Sequence, residues 1–307
     1  MLERFEAGAT IVLQALHLHW EPLARFCRDL ERELGHPAQA NAYYTPRDSQ
    51  GLAVHHDTHD VFVLQVAGEK RWLVYEPVFP LPLKHQRYEA AMGRGGEPVH
   101  DVVLRPGDTL YLPRGWLHEA MTSATDSLHI TVGINVYTWI DAFKAALAEC
   151  EEELGFRHVV PEEGEGADEL LTTLRSRLEP ADVAHRRRAR FLRTRRPLRG
   201  GELTQRRALR GLDVDTEVER RPSVIADLDG TTLTFEGKEL EFPADAAGGL
   251  EAIAASDGPF RPAELPGELD LEGRLTLVRR LVREGYLRIS GAERGGSSPS
   301  SDGRAAQ

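Results

Sequence analysis

Short apolar, β-branched runs separated by glycine- and proline-rich turns recur between Asn41 and Tyr137, and they constrain the fold of this chain more than any other feature. The strand-like runs are residues 61–66, 72–76, 101–104, 109–112 and 128–136. Short strands at this spacing predict a β-sandwich or a β-barrel. The five residues 67–71 (AGEKR) between the first two runs predict a hairpin turn.

The flanking segments have mostly helical patterns. A strand is predicted over 9–16 and a helix over 22–34, which ends at Gly35. After the β-rich region, the patterns predict helices over 139–155 and 167–196, the second broken near Pro180, then a hairpin over 231–242, helices near 246–255 and 271–284, and a strand over 286–289. This last series predicts a small winged-helix-like module. From Gly291 onward the chain is rich in glycine and serine, and we expect a disordered tail.

The charge distribution limits the classes of partner. A net charge of -11 over 307 residues argues against general nucleic-acid binding. Residues 185–210 are an exception, with 11 arginines and one glutamate. This Arg-rich segment is either a docking surface for nucleic-acid phosphates or a solvated helix face that pairs with acidic residues of the same chain, and both interpretations stay open.

The same composition favours the cytoplasm. No stretch is long and apolar enough to span a membrane, and the first residues lack a secretion signal. The only two cysteines, Cys27 and Cys150, lie far apart in sequence, which predicts neither a disulfide framework nor a cysteine metal site.

Residues 54–60 (VHHDTHD) contain the most informative motif. In a strand, His55 and Asp57 face the same side, whereas His56 faces the other. Two histidines and one carboxylate form a facial triad that leaves coordination positions open, as an Fe(II) oxygenase requires. His118, which follows the turn at 113–116, is the preferred third ligand, and His129 is the alternative. The motif by itself is also compatible with a chance pair on an exposed strand.

The wider sequence resembles a known family. Residues 41–77 (including NAYYTP and SQGLAVHHDTHDVFVLQVAGEKRWLVYEP), 105–120 (RPGDTLYLPRGWLHEA) and 127–131 (SLHIT) closely resemble the JmjC-type ribosomal oxygenases. These are Fe(II)- and 2-oxoglutarate-dependent protein hydroxylases. The resemblance is specific over 41–137 and extends in layout over 8–290. It implies a mainly β, double-stranded β-helix (jelly-roll or cupin, JmjC-like) catalytic domain over 1–138, a helical dimerisation region over 139–196, the winged-helix-like module over 197–290 and the tail over 291–307.

The resemblance also implies roles for individual residues. His55, Asp57 and His118 match the iron ligands, and Lys70 matches the basic residue that pairs with the far carboxylate of 2-oxoglutarate. A dicarboxylate bound to iron at one end needs a cation at the other, so the physical argument agrees. Three further residues match pocket positions, although each is also explained as strand packing: Asn41, Tyr43 and His129. The remaining two histidines of the motif, His56 and His59, match no ligand position, and we expect them to face solvent or to pack.

By the same resemblance, the reaction is hydroxylation of a protein side chain, on His or Arg of a ribosomal protein, by a homodimer. Family members usually carry a longer segment before the position of Gly8, which predicts a shortened N-terminal region here.

Two other functions fit parts of the sequence. One is a metal-dependent cupin enzyme that does not use 2-oxoglutarate, although many of these use an HxH pair with a glutamate, and here Asp57 takes the second position. The other is a ligand-sensing barrel with a DNA-binding winged helix, since the predicted helix over 271–284 carries Arg274, Arg279, Arg280 and Arg283.

Overall fold

The computed structural model describes residues 2–93, 96–197 and 201–292, so most of the predicted tail lies outside the described residues. The chain divides into two compact units, Met1–Phe191 and Leu192–Gln307. No helix in the described ranges has both the length and the apolar character needed to cross a membrane.

Two antiparallel sheets form the centre of the first unit. The strands are β1 (Ile11–Leu13), β2 (Ala38–Thr45), β3 (Asp60–Ala67), β4 (Lys70–Tyr75), β5 (His100–Leu104), β6 (Thr109–Leu112), β7 (Leu117–Met121) and β8 (Ser127–Ile134). One sheet has the strand order β1-β2-β8-β3-β6, and the other has the order β5-β4-β7. The non-sequential strand orders and antiparallel pairing match the predicted jelly-roll architecture.

The predicted hairpin between the first two strand-like runs was wrong. β3 pairs with β6 and β8, whereas β4 pairs with β5 and β7, so the chain crosses from one sheet to the other at this turn. Gly68 makes the crossing possible because its φ is +65°, and a Cβ there would lie only 1.8 Å from the carbonyl oxygen of Asp126. Strand β7 was also missed, because its sequence was assigned to the end of a turn.

Period-two alternation separates the two faces of the larger sheet. Even-numbered residues such as Ala40 and Val132 pack under helix α2 (Glu21–Leu34) with Leu23 and Cys27. Odd-numbered residues of the same strands face a cavity between the sheets. The helix ends where predicted, at Gly35, whose φ of 63° is the left-handed conformation that commonly terminates helices.

Helices follow the sandwich. After the short α1 (Leu2–Glu6) and α2, these are α3 (Trp139–Cys150), α4 (Ala167–Ser176) and α5 (Pro180–Thr194). A capping box of Thr138 and Asp141 begins α3. Both cysteines are free and buried.

The second unit is a small α+β fold with its own core. It contains α6 (Glu202–Ala208), β9 (Val218–Arg220), β10 (Ala226–Asp229), β11 (Thr232–Phe235), β12 (Lys238–Glu241), α7 (Ala247–Ala255), α8 (Leu271–Glu284) and β13 (Leu287–Ile289). The predicted hairpin turns at Glu236 and Gly237, whose φ values of 45° and 77° suit a two-residue turn. Phe235, Ile253 and Leu281 belong to the buried core of this unit.

Candidate metal centre and co-substrate cavity

Three side chains that line the first unit's cavity lie close together. One potential ligand atom from each of His55, Asp57 and His118 lies within 4.8 Å of the other two. His118 lies on β7, and His55 joins it through an isolated antiparallel bridge, with backbone N···O distances of 3.1 and 2.8 Å. Residues 55–57 therefore do not form the expected strand, and this bridge holds them in place instead.

The backbone orients both imidazoles. The Nδ1 atom of His55 lies 2.8 Å from the Ala53 carbonyl oxygen, and Nδ1 of His118 lies 3.0 Å from that of Trp116. Because a carbonyl oxygen only accepts hydrogen bonds, each Nδ1 carries the proton and donates. The lone pair is then on Nε2, which is the arrangement that metal-binding histidines use.

Burial and charge favour the protonation states of His118 and Asp57 that bind a metal. His118 is 4% exposed, and burial, with a smaller contribution from His55, lowers the pKa of its imidazole below the ordinary value. It therefore stays neutral and able to bind a metal. The Asp57 side chain is 33% exposed, and its Oδ2 lies 3.6 Å from Nε2 of His118. Two imidazole nitrogens and one carboxylate match the donor set of a mononuclear Fe(II) site.

Lys70 faces the same cavity from the start of β4. The β4–β7 register pairs Val74 with His118, and alternation then puts Lys70, Trp72 and Val74 on the face that carries His118. Lys70 is 2% exposed, and its Nζ donates to Oγ1 of Thr45 at 2.7 Å. Burial lowers the pKa of Lys70 to about 8.

No carboxylate within the described residues pairs with Lys70. The hydroxyl of Thr45 is neutral, and burial is the sole cause of the lowered pKa of Lys70. A buried cation without an anion is costly, so this end of the cavity is suited to an anionic group.

The three other predicted pocket residues share the odd-numbered strand face. Asn41 accepts a hydrogen bond from the Ala15 backbone N–H at 2.9 Å. The Tyr43 ring stacks on His129 with centroids 5.0 Å apart, and the pKa of its phenol is raised by burial and by the charge of Asp57. Burial and the nearby Lys70 lower the pKa of His129 to about 3, so this imidazole is neutral. His129 lies outside the three-residue cluster, in which His118 is the third member.

The two remaining histidines of the motif differ from each other. His56 is 4% exposed, and its ring faces Tyr88 edge-on. Its Nε2 lies 3.2 Å from the Gln86 carbonyl oxygen. His56 is therefore a packing residue, which is one of the two expected outcomes. His59 packs against Gly133 of β8, and it also lines the cavity, which the expectation did not include.

The cavity has further lining residues that were not predicted from the sequence. They are Thr10, Gly51, Glu119 and Thr131. Side-chain alternation along the strand puts Thr131 on the same face as His129, whereas no local sequence pattern marks Thr10 or Gly51 as a lining residue. Glu119 is buried and accepts hydrogen bonds from Tyr75 at 2.7 Å and Gln50 at 2.8 Å.

The Arg-rich segment is partly used by the fold. Arg186 pairs with Glu149 at 3.0 Å, and Arg190 pairs with Asp141 at 2.9 Å, which joins α5 to α3. These contacts support the interpretation as a helix face paired with acidic residues. Residues 198–200 of the segment lie outside the described ranges.

The arginines of α8 are similarly engaged. Guanidinium groups of Arg274, Arg279 and Arg280 donate to the backbone carbonyls of Ala263, Leu212 and Glu241, respectively, at 2.8–3.0 Å. This use of three of the four arginines gives no support to a DNA-reading helix.

Comparison with known proteins gives the class to which this fold and site belong. The JmjC domain model matches residues 14–142, the segment that contains the sandwich and the three-residue cluster. The first unit therefore carries a JmjC domain with a cupin-like fold, as predicted.

The relatives extend this result. The chain is 40% identical over 129 residues to the bifunctional lysine-specific demethylase and histidyl-hydroxylase NO66 of Drosophila persimilis, covering 42% of this chain and 19% of that protein. It is 32% identical over 236 residues to ribosomal oxygenase 2 of Mus musculus, covering 76% of this chain and 48% of that protein. The predicted resemblance to ribosomal oxygenases is confirmed, and the chain spans less than half the length of either relative.

A solved structure shows the same fold. The X-ray structure of E. coli ycfD aligns over 92% of this chain and 79% of that chain, with a TM-score of 0.59 and 20% identity. A second structure of that ribosomal oxygenase, in complex with cobalt and 2-oxoglutarate, aligns with a TM-score of 0.54 over 92% of this chain and 78% of its own.

Proposed function

We propose that this chain is an Fe(II)- and 2-oxoglutarate-dependent oxygenase that hydroxylates a protein side chain. The observation that carries the proposal is the buried, unpaired ammonium of Lys70 in the same cavity as His55, Asp57 and His118. A metal-binding triad alone fits many cupin enzymes. A buried cation on the same cavity wall adds a site for the second carboxylate of a dicarboxylate co-substrate, which disfavours the cupin alternative without 2-oxoglutarate.

Each part of the site has a distinct task. His55, Asp57 and His118 would hold Fe(II), which together with 2-oxoglutarate supplies O2 activation for the hydroxylation of a C–H bond, with succinate and CO2 as co-products. Lys70 holds the far carboxylate by a charge-assisted hydrogen bond, and Thr45 orients the ammonium. The apolar side chains of Val61, Val63 and Trp72 line the cavity and exclude water from it.

The relatives support the choice of co-substrate and substrate. The E. coli ribosomal oxygenase binds cobalt and 2-oxoglutarate in its structure, and the Drosophila relative is named a histidyl-hydroxylase. For this chain we infer a ribosomal protein substrate, modified on a His or Arg side chain. Free Cys27 and Cys150 are compatible with the cytoplasm as its compartment.

Helix α3 supports the proposed homodimer. Its Trp139, Ile140, Phe143 and Leu147 are 44–69% exposed, and all are large apolar side chains. An exposed apolar patch of this kind is typical of an interaction surface.

The winged-helix-like module would serve substrate docking or packing.

An anaerobic titration tests the co-substrate assignment. Adding Fe(II) and then 2-oxoglutarate to the wild-type protein should produce the visible metal-to-ligand charge-transfer band. His55→Ala should abolish this band and the aerobic turnover of 2-oxoglutarate, whereas His56→Gln, a change at the neighbouring histidine that faces away from the cavity, should retain both. A folded wild-type protein without the band would contradict the proposal.

Intact-mass analysis tests the substrate. Ribosomal proteins from a strain that lacks the gene should include one that is lighter by a single oxygen atom than in the parent strain. Identical masses for every ribosomal protein would exclude a ribosomal substrate while leaving the co-substrate chemistry intact.

A further inference from the structure

We propose that His59 is a substrate-positioning residue whose imidazole hydrogen-bonds the protein segment that enters the cavity. The inference rests on the proposed function, because it assigns a role in binding the substrate of that same site. His59 is neither a member of the three-residue cluster nor an outward-facing residue, and it lines the cavity.

The strand register places His59 at the end of the cavity opposite Lys70. Lys70 contacts Thr45, which pairs with Ser127 at the start of β8. His59 precedes β3, whose Val61 pairs with Gly133 near the other end of β8. Ser127 and Gly133 are six residues apart on β8, which corresponds to roughly 20 Å along the strand. A co-substrate held by Lys70 therefore leaves the His59 end available to the substrate.

Gly133 provides the space that the His59 ring occupies. A Cβ at Gly133 would lie 3.0–3.3 Å from three atoms of the ring, Cε1, Nδ1 and Nε2. The imidazole therefore lies against the backbone of β8 rather than projecting into solvent. This contact limits where the ring can move, so the orientation of its polar edge is set before a ligand binds.

One ring nitrogen of His59 lacks a hydrogen-bond partner among the described residues. Its Nδ1 is buried and makes no hydrogen bond within the described residues. A buried ring nitrogen that has no hydrogen-bond partner costs free energy. A peptide unit or a neutral polar side chain of the substrate would satisfy this group. His59 thus selects for a hydrogen-bonding group beside the target carbon.

Three substitutions and one control separate this role from others. His59→Leu removes the hydrogen-bonding atoms, and His59→Gln retains one donor and one acceptor. Gly133→Ala keeps the imidazole but adds a methyl group against its ring, so it should displace His59 without changing its chemistry. His56→Gln is the matched control, because His56 lies in the same segment but contacts Tyr88 outside the cavity.

The assay uses ribosomal proteins from the deletion strain as substrate and measures both hydroxylated product and succinate. For His59→Leu we expect the KM for the ribosomal protein to rise by about threefold to tenfold, the equivalent of one lost hydrogen bond. Product formed per succinate should also fall. The affinity for Fe(II) and 2-oxoglutarate should match the wild type. His59→Gln should recover part of the loss.

The paired substitution gives a second readout. Gly133→Ala should raise the same KM, and the double variant with His59→Leu should be no worse than His59→Leu alone, because both act through one contact. An unchanged KM and coupling ratio in His59→Leu would overturn the inference, as would a loss of Fe(II) or 2-oxoglutarate affinity in that variant. Absence of 2-oxoglutarate turnover in the wild type would instead overturn the proposed function itself, and the inference with it.

Discussion

At the scale of single residues, Lys70 combines a stability cost with a binding function. The pKa of this buried lysine is lowered to about 8, so the folded protein releases the proton more readily than the unfolded chain does. The penalty is fully present below pH 8 and disappears as the pH rises from about 8 towards the ordinary lysine pKa of about 10.5. The buried charge that binds the ligand therefore lowers the stability of the folded protein while the ligand is absent.

Lys70→Met should therefore increase the stability of the ligand-free protein while it removes co-substrate binding. At pH 7 we expect the free energy of unfolding to rise by up to about 3 kcal/mol, with the difference from wild type shrinking above pH 8. The affinity for 2-oxoglutarate should fall by about 10-fold or more, since a charge-assisted hydrogen bond is lost. Chemical denaturation at several pH values and the anaerobic titration measure the two effects. Unchanged 2-oxoglutarate affinity would contradict the role of Lys70.

Gly51 allows the Lys70 ammonium to reach its position. A Cβ at Gly51 would lie 2.9 Å from Nζ of Lys70, which is the flexible end of that side chain. Gly51→Ala should therefore move the ammonium rather than unfold the protein. We expect a higher KM for 2-oxoglutarate with unchanged Fe(II) affinity and an almost unchanged melting temperature. A large drop in melting temperature with a normal KM would show that the position serves folding instead.

At the scale of elements, the β3–β4 connection carries the change from one sheet to the other. Gly68→Ala would place a methyl group 1.8 Å from the Asp126 carbonyl oxygen in a left-handed backbone conformation. We expect a loss of about 3–5 kcal/mol in the free energy of unfolding, from backbone strain and overpacking together. Gly107→Ala is the matched control, because its φ is also positive, at +97°, but no atom lies within 4 Å of the added Cβ. Gly107→Ala should lower the free energy of unfolding by about 1–2 kcal/mol. Equal losses in the two variants would exclude the clash with Asp126 as the cause.

At the scale of the whole molecule, the exposed apolar face of α3 is the feature that predicts self-association. Trp139 is 69% exposed and Phe143 is 44% exposed. Replacing both with glutamate should convert a dimer into a monomer at micromolar concentration, measured by size-exclusion chromatography with light scattering. Leu203→Glu, a change at another exposed apolar residue of 78% exposure on α6, should leave the dimer intact. A monomeric wild type would contradict the proposal.

The sequence alone was sufficient for features that depend on local periodicity and local turns. Alternation placed Asn41 and Tyr43 on one strand face, and the helices α2 and α8 begin and end close to their predicted limits. The HxD motif and the later His118 identified the three residues that the fold brings together.

Tertiary structure decided everything that depends on which strands pair. The burial of Lys70 depends on Thr45, 25 residues earlier in the chain, and the position of His59 depends on Gly133 of a distant strand. The assignment of β3 and β4 to different sheets likewise depends on hydrogen bonds to strands far along the chain. Strand pairing joins residues that are remote in sequence, and side-chain periodicity carries no information about the partner. The local pattern thus determined the chemistry available to this protein, and the pairing of strands determined which of those groups share one cavity.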